Sequence, residues 1–275
     1  MKKIFVLSFC LLCFVQLSIA QYNYTKKWQK VENFELKGKL SSANRMVKHI
    51  YKNAEKEQNA AQTVKSFIYL TKFSLLITDS SEETVLQTLR KEMEQHSFPT
   101  NAILENMYAR FLAQYFKKYE FKIRQRSILA SDVLPDDIQL WNTEMFIDEI
   151  HERFQHSITK GTALLQLPVE DYMVLLDGKA NTKKYRSSLY DILLYNMLEF
   201  YKHEIPYYYE TNSKQFSSKD FAIGDDFLQR NFEISTKNIF SRNATLQLFQ
   251  KLERIYKDKK EAYIDVVIQR LKFIS

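Results

Sequence analysis

Glycine and proline are scarce in this chain: 275 residues contain only 4 of each. β-Sandwiches and barrels join many short strands through turns that are rich in these residues, so the composition excludes a large all-β domain. Gly38, Gly161, Gly178 and Gly224 also lie far apart. Their separation excludes the clustered glycines of a P-loop or a dinucleotide-binding loop.

Apolar residues recur at three- and four-residue intervals along most of the chain after residue 20, which is the spacing of amphipathic helices. Five such stretches, joined by short links, cover positions 24–119. Consecutive antiparallel helices with short links form hairpins, and stacked hairpins form an α-solenoid. Five more helices are predicted further on, at Asn142–Thr159, Val169–Asp177, Ser187–His203, Asn243–Lys257 and Glu261–Phe273.

We therefore predict an all-α fold of antiparallel helix hairpins stacked as a TPR-like α-solenoid. Residues 21–130 would form a helical-hairpin array, and residues 131–275 a second helical part continuous with it. The first pair of helices has close to the length of one tetratricopeptide unit. From Tyr119 to Asp137 the helical pattern weakens, and the alternation of Phe121 and Ile123 predicts a short extended segment.

Several residues are placed to end or begin these helices. Gly38 follows the first apolar stripe and is expected to end that helix. Ser41 or Ser42 is expected to cap the second helix, and Ser81 the fourth. Pro99 stands where a proline fits the first turn of the fifth helix.

The first twenty residues have the three parts of a secretory signal peptide. Lys2 and Lys3 precede an apolar run from Ile4 to Leu17, and Ser18-Ile19-Ala20 supplies small residues before a cut at Gln21. A membrane anchor is the alternative, but a bilayer span needs about 20 apolar residues. We predict export to the periplasm or cell envelope, with cleavage after Ala20.

Cys10 and Cys13 are the two cysteines of the chain, and both lie in this segment. The mature chain would therefore contain no disulfide, no thiolate nucleophile and no cysteine metal ligand. Its stability must come from its packed core, for which about 255 residues suffice.

No motif in the sequence supports a catalytic or metal centre. His151 and His156 are five residues apart, which places their rings on different sides of a helix, whereas a zinc pair needs a spacing of four. Asp148, Glu152 and His156 share one face, opposite the apolar stripe of their helix, and are expected to face water. His49, His96 and His203 are expected at the surface or at helix ends. We predict no enzymatic activity, no cofactor and no metal.

The charge is uneven. Residues 21–130 hold 19 Lys and Arg against 11 Asp and Glu, whereas residues 131–275 hold 19 against 22. A possible interaction patch is formed by the cations Lys117, Lys118, Lys122, Arg124 and Arg126. Such a patch attracts nucleic acid, anionic lipid or an acidic protein. The alternative is a solvated helix end whose cations complement the helix dipole.

Three stretches together resemble the N-terminal helical region of the large α2-macroglobulin-like proteins of Bacteroidetes. They are Trp28–Tyr51 (W-x-K-V-E-x-F-E-x-K-G-K-L), Trp141–Ser157 (W-N-T-E-x-F-I) and Asn181–Phe200 (N-T-x-x-Y-R-S-S-L-Y-D-I-L-L-Y-N-M-L-E-F). The nearest thing to a signature is the set Arg186, Leu189, Tyr190 and Asp191. Ser187 and Asn196 depart from the family pattern, where proline and a basic residue are expected, so the chain resembles an atypical or truncated member.

The resemblance implies a protein-binding role. Full-length α2-macroglobulin-like proteins carry strings of β-sandwich domains, many with a thioester, and are regarded as protease traps. This chain holds neither the thioester cysteine nor room for a bait region, so the resemblance implies only the helical module. The alternative is a stand-alone exported adaptor that binds peptides or envelope components. In both cases we expect a protein partner, no nucleic acid and no membrane span.

The signal peptide predicts the N-terminus of the mature protein. Protein isolated from the native host should begin at or near Gln21, because a signal peptidase cuts after small residues such as those at positions 18 and 20. Mass spectrometry of the intact protein measures this directly. An intact Met1 in the cytosolic fraction would contradict the prediction.

Overall fold

The computed structural model describes residues 22–78, 80–126, 134–176, 182–203, 217–233 and 242–275. Within these ranges the chain is all-helical and contains no β-strand. The predicted signal peptide, residues 1–20, lies outside them. The α-helices are α1 (Tyr24–Leu36), α2 (Leu40–Lys56), α3 (Ala60–Ile77), α4 (Glu82–Gln95), α5 (Thr100–Arg124), α6 (Thr143–Ile158), α7 (Gly161–Leu165), α8 (Thr182–Tyr185), α9 (Leu189–His203), α10 (Asp225–Leu228), α11 (Arg242–Tyr256) and α12 (Lys260–Ile274).

Short 3₁₀-helices connect some of these elements, at Ile138–Leu140, Val169–Leu175 and Ser218–Phe221. The second of them corrects a prediction, because the sequence pattern indicated an α-helix from Val169 to Asp177. Val169 and Tyr172 are its buried residues, spaced three apart. A three-residue repeat keeps side chains on one face of a 3₁₀-helix, so the apolar pattern alone does not separate the two helix types here.

Side-chain caps begin several helices because the first backbone N–H groups of a helix have no partner inside it. The oxygen of Asn23 accepts from the Lys26 amide at 2.9 Å, and Asn142 does the same for Met145 at 2.9 Å. Ser81 caps α4 through the Thr84 amide at 3.2 Å, as predicted. The prediction for α2 was wrong, since the helix begins at Leu40 and Lys39 occupies the cap position.

Gly38 follows the end of α1 with a φ of +66°. This left-handed conformation is costly for residues that carry a Cβ atom, so glycine at this position permits the tight turn from α1 into α2. The predicted end of the first helix is confirmed.

α5 is longer than the sequence indicated. Its 25 residues continue to Arg124, so the predicted extended segment at Phe121 and Ile123 is wrong. Ile123 is fully buried and follows buried Phe116 by seven residues, whereas Phe121 is 78% exposed. Residues seven apart lie on the same side of an α-helix, which accounts for the burial of Ile123. The alternation of Phe121 and Ile123 therefore does not indicate a strand.

Buried apolar side chains form two clusters. The larger cluster runs from Ala60 in α3 to Ile274 in α12 and contains most of the aromatic core. The smaller one joins α1, α2 and α3 around Trp28, Val47 and Phe73. The indole N–H of Trp28 donates to Gln62 at 2.7 Å, which fixes α1 against the start of α3.

Neighbouring helices pack together along the chain, in the pairs α1–α2, α2–α3, α4–α5, α5–α6 and α11–α12. Contacts between distant parts of the sequence add to this pattern. α3 also packs on the 3₁₀-helix Val169–Leu175, and α9 packs on α5, α6, α7 and α11. These contacts join α3 and α5 to the second half of the chain around the larger of the two clusters.

The second half of α3 leaves apolar side chains in solvent. Ile68, Leu75 and Leu76 are 38%, 37% and 58% exposed, although they belong to the apolar pattern by which the helix was predicted. None of the helices in the described part of the chain is long and apolar enough to cross a bilayer. Of the three exposed residues, Leu75 lines a groove described below.

Arg270 holds the C-terminal helices together from inside the core. Its side chain is fully buried and donates to the Glu253 carboxylate at 2.6 Å and to the backbone oxygens of Asp220 and Ala222 at 2.6 and 2.8 Å. Its guanidinium carbon lies 3.6 Å from the ring centroid of Phe227. Arg270 thus joins α12 to α11 and to the segment that contains the 3₁₀-helix Ser218–Phe221.

We predict that Arg270→Ala lowers the free energy of unfolding by about 3–5 kcal/mol, because it leaves the Glu253 carboxylate buried without its cation. Urea denaturation measures the change. Lys272→Ala, an exposed change two residues away, is the matched control and should stay within about 0.5 kcal/mol of the parent. Equal unfolding midpoints for the two variants would show that Arg270 does not hold these helices.

Candidate functional site

The predicted basic patch lies at the C-terminal end of α5 and just beyond it. Lys117, Lys118, Lys122 and Arg124 are exposed on the last turns of the helix. Arg126 follows the helix end and is half-buried. Its guanidinium donates to the backbone oxygens of Ile138 and Trp141, at 3.3 and 2.7 Å. Arg126 therefore joins the end of α5 to the segment that leads into α6, and its guanidinium has a structural role.

Two other cations of the patch pair with carboxylates. Lys118 donates to Glu82 of α4 at 2.8 Å, and Arg124 pairs with Glu120 one helical turn earlier, also at 2.8 Å. The bond to Glu82 raises the pKa of Lys118. Pairs this exposed contribute little to stability. They orient the side chains while leaving a positive potential along the helix end.

A polar groove of about 320 Å³ lies between α5 and α9. Five of its lining side chains are polar or charged: Arg110, Gln114 and Lys117 come from α5, and Asn196 and Glu199 come from α9. Phe200 adds an apolar surface. We call this cavity the polar groove.

An apolar groove of about 250 Å³ lies on the other side of α5, between that helix, α4 and the end of α3. It exists because α3 packs on α2 while α4 packs on α5, so that the two consecutive helices diverge. The Lys118–Glu82 pair stands at this groove. Its apolar lining consists of Leu75, Val85, Leu86, Phe111 and Tyr115.

Gln114 lines both grooves. It lies on an exposed stripe of α5 with Arg110, Lys117 and Phe121, because residues spaced four, three and four apart share one helix face. α5 therefore forms a ridge with a polar groove on one side and an apolar groove on the other. We take this α5 ridge, with its two grooves, as the candidate functional site.

The structure brings Lys117 and Lys118 of the predicted patch into this site, one in each groove, and leaves Arg126 outside it. Sequence reasoning missed Arg110, Gln114, Leu75 and Asn196. Arg110 had a detectable signal, since it precedes Lys117 by seven residues and so shares its face. Leu75 and Asn196 had none, because they come from helices distant in sequence.

The family-like set at Arg186, Leu189, Tyr190 and Asp191 lies at the start of α9. One Asp191 oxygen accepts from the backbone amides of Ser187 and Ser188, both at 2.8 Å, and the Ser188 hydroxyl accepts from the Asp191 amide at 3.4 Å, so that the two side chains form a capping box at the start of the helix. Arg186 stacks on Tyr195, 3.7 Å from its ring centroid, and pairs with Asp265 of α12 at 3.7 Å. Leu189 is buried, and the ring of Tyr190 lies close to Gly161. These residues fix α9 against α7 and α12.

Asp148, Glu152 and His156 lie on the exposed side of α6, as the helical pattern indicated. Glu152 and His156 form a solvated pair at 3.7 Å. Within the described ranges no group of three or more His, Cys, Asp or Glu side chains is placed to hold a metal ion.

The isolated histidines have separate environments. His49 is exposed on α2, and His96 follows α4, where its Nε2 lies 3.1 Å from both Tyr51 and Glu92. His203 ends α9. His96 therefore belongs to a contact between α2 and α4 and has no part in the α5 ridge.

His151 lies on a different side of α6 from His156, next to the buried hydroxyl of Tyr201 in α9. Burial lowers the pKa of His151 to about 4, and the positive charge of Lys251 acts in the same direction. A neutral imidazole can accept a hydrogen bond through Nδ1, which the Tyr201 hydroxyl donates. The pair joins α6 to α9, and because the site is buried, protonation of His151 there costs free energy.

No protein-family model matches this chain, and neither the curated proteins nor the solved structures compared with it gave a match.

The lowered pKa of His151 predicts a loss of stability in mild acid. The unfolded chain binds a proton near pH 6.5 and the folded chain only near pH 4, so stability falls as the pH drops through this window. In His151→Gln the amide oxygen can accept the Tyr201 hydrogen bond but cannot titrate. Urea denaturation at pH 7 and pH 4.5 should show a smaller difference for this variant than for the parent. His156→Gln is the exposed control and should keep the parent's difference; an equal difference in all three proteins would contradict the prediction.

Proposed function

We propose that this chain is an exported helical protein-interaction module that binds its partner across the α5 ridge. The observation that carries the proposal is the pair of grooves on either side of this helix, with Gln114 shared between them. An apolar groove beside a polar one matches the mixture of contacts in protein interfaces, which bury apolar anchors inside a polar rim.

The burial of other polar groups supports a binding role. Asn106 in α5 donates to Ser157 of α6 and to the Leu193 backbone oxygen of α9, and accepts from Asn196. Arg153 of α6 pairs with Glu149 and reaches Glu105 of α5. These groups join helices within the fold and hold the walls of the grooves in place. We propose that the protein acts by binding and carries out no catalysis.

The resemblance to α2-macroglobulin-like proteins gives the proposal its leading form. In that form the chain is a TPR-like helical module whose partner is the remainder of a macroglobulin-like chain. The second form is a stand-alone exported adaptor for peptides or envelope proteins. The packing of α1, α2 and α3 as consecutive antiparallel helices supports the TPR-like part of both forms.

A photo-crosslinking residue at position 114 tests the proposal. The purified chain carrying p-benzoylphenylalanine in place of Gln114 is irradiated in an envelope extract of the native host, and protein adducts are identified by mass spectrometry. We expect a defined adduct at position 114 and a much weaker one when the same residue replaces Lys52, which is exposed on α2.

The identity of the adduct separates the two forms. A β-sandwich protein encoded next to this chain supports the macroglobulin-like form, and another envelope protein supports the adaptor form. Equal adducts at positions 114 and 52, or none at either, would contradict binding at the α5 ridge.

A further inference from the structure

The α5 ridge offers a partner two unlike anchoring positions on neighbouring surfaces. The apolar groove has a floor of Val85, Leu86 and Tyr115, all largely buried, and one wall formed by the partly exposed Leu75. The polar groove presents the cations Arg110 and Lys117 on its α5 wall, and Asn196 and the carboxylate Glu199 on its α9 wall. A ligand that fills both must combine a bulky apolar group with a polar group of suitable charge.

The charge of the second group follows from the cations around it. Arg110 is exposed at the polar groove, and within the part of the chain that the structure describes no ion pair of its guanidinium is found. The Glu199 carboxylate on the opposite wall pairs with Lys202 at 2.8 Å. Glu82 and Glu120 are already paired with Lys118 and Arg124. Residues 21–130 carry an excess of positive charge. The face therefore favours an anionic group, and a guanidinium binds a carboxylate through two hydrogen bonds.

We infer that the α5 ridge binds an acidic segment of a partner protein, with one bulky apolar side chain in the apolar groove and a carboxylate at Arg110. This inference rests on the proposed function and adds the chemistry of the partner. We argue for a protein segment over a nucleic acid, because a sugar-phosphate backbone has no apolar side chain to fill the apolar groove; binding of an anionic lipid is an outcome of the test below.

Burial of the apolar anchor supplies most of the affinity, whereas the carboxylate sets orientation and association rate. The positive face accelerates association at low salt, and the acceleration falls as the Debye length shortens to about 8 Å at physiological ionic strength. Binding should therefore depend on salt through the Arg110 contact, and the contribution of the Leu75 wall should be much less sensitive to salt.

Selection of peptides tests this chemistry without a known partner. A phage-displayed library of random dodecapeptides is selected on the immobilised chain, and the enriched peptides are measured by fluorescence anisotropy. We expect enrichment of Asp and Glu together with one Leu, Phe or Trp. Enrichment of basic peptides, or of peptides without an apolar anchor, would overturn the inference.

Two variants locate the binding, and each has a matched control. Leu75→Glu places a charge at the apolar groove and should weaken binding of the enriched peptide at least about tenfold. Arg110→Glu reverses the charge at the polar groove and should weaken binding by a similar factor. Ile268→Glu on α12 and Lys52→Glu on α2 make the same changes at exposed positions elsewhere. Circular dichroism confirms that each variant is folded, and Arg110→Glu, an exposed substitution, keeps the test valid if Leu75→Glu does not fold.

A double-mutant cycle separates a direct contact from a general effect of charge. Replacing the acidic residue of the peptide by its amide should weaken binding to the parent protein and have little effect on binding to Arg110→Gln, which removes the cation without adding a repulsive charge. Additive effects would overturn the carboxylate contact. Vesicle binding that Arg110→Glu and Leu75→Glu abolish, with no peptide enriched, would assign the ridge to an anionic membrane and also overturn the inference; phosphatidylglycerol vesicles are the probe.

The outcomes also distinguish this inference from the proposed function. If the crosslink at position 114 forms but Arg110→Glu and Leu75→Glu bind the enriched peptide as well as their controls do, protein binding at the ridge stands and the partner chemistry is wrong. If neither the crosslink nor any peptide enrichment is found, both are wrong.

Discussion

The central part of the fold depends on the hydrogen bonds made by the buried side-chain amide of Asn106. Asn106 is 1% exposed and sits within the apolar core of α5. It reaches Ser157 in α6 at 3.1 Å, the backbone of Leu193 in α9 at 3.0 Å, and Asn196 at 2.8 Å. A polar group so deeply buried costs free energy unless its hydrogen bonds are made, so only one relative placement of the three helices satisfies it. That placement also sets the separation of α5 and α9, and with it the polar groove.

Local sequence patterns were sufficient to predict most of the helices, but not how helices distant in sequence pack together. Apolar spacing predicted α6 and its exposed face, and Ser81 predicted the start of α4, because both signals are local. The bonds of Asn106 span up to 90 residues of sequence, and no local pattern encodes such a partner. The errors at the end of α5 and at Val169 arose where two periodicities fit the same few apolar residues.

In the candidate site, too, local sequence patterns reveal some residues and do not reveal others. Sequence reasoning found the cations at the end of α5, since a cluster of charge is visible in any short stretch. It did not separate Arg126, which hydrogen-bonds the backbone near α6, from Lys117 and Lys118, which line the grooves. The grooves themselves depend on the divergence of α3 from α4 and on the position of α9. These are tertiary features that composition and spacing do not contain.

Gln114 forms part of both grooves, and this has a thermodynamic consequence. Any group that enters one groove restricts the rotamers of this side chain, and so alters the wall that the other groove presents. Two anchors on one partner segment would then bind with a coupling free energy, of either sign, in addition to the gain in effective concentration from their covalent connection. The order in which the two anchors engage does not change the final affinity, because the coupling is reciprocal. Its size, however, would depend on the single amide side chain at the crest of α5.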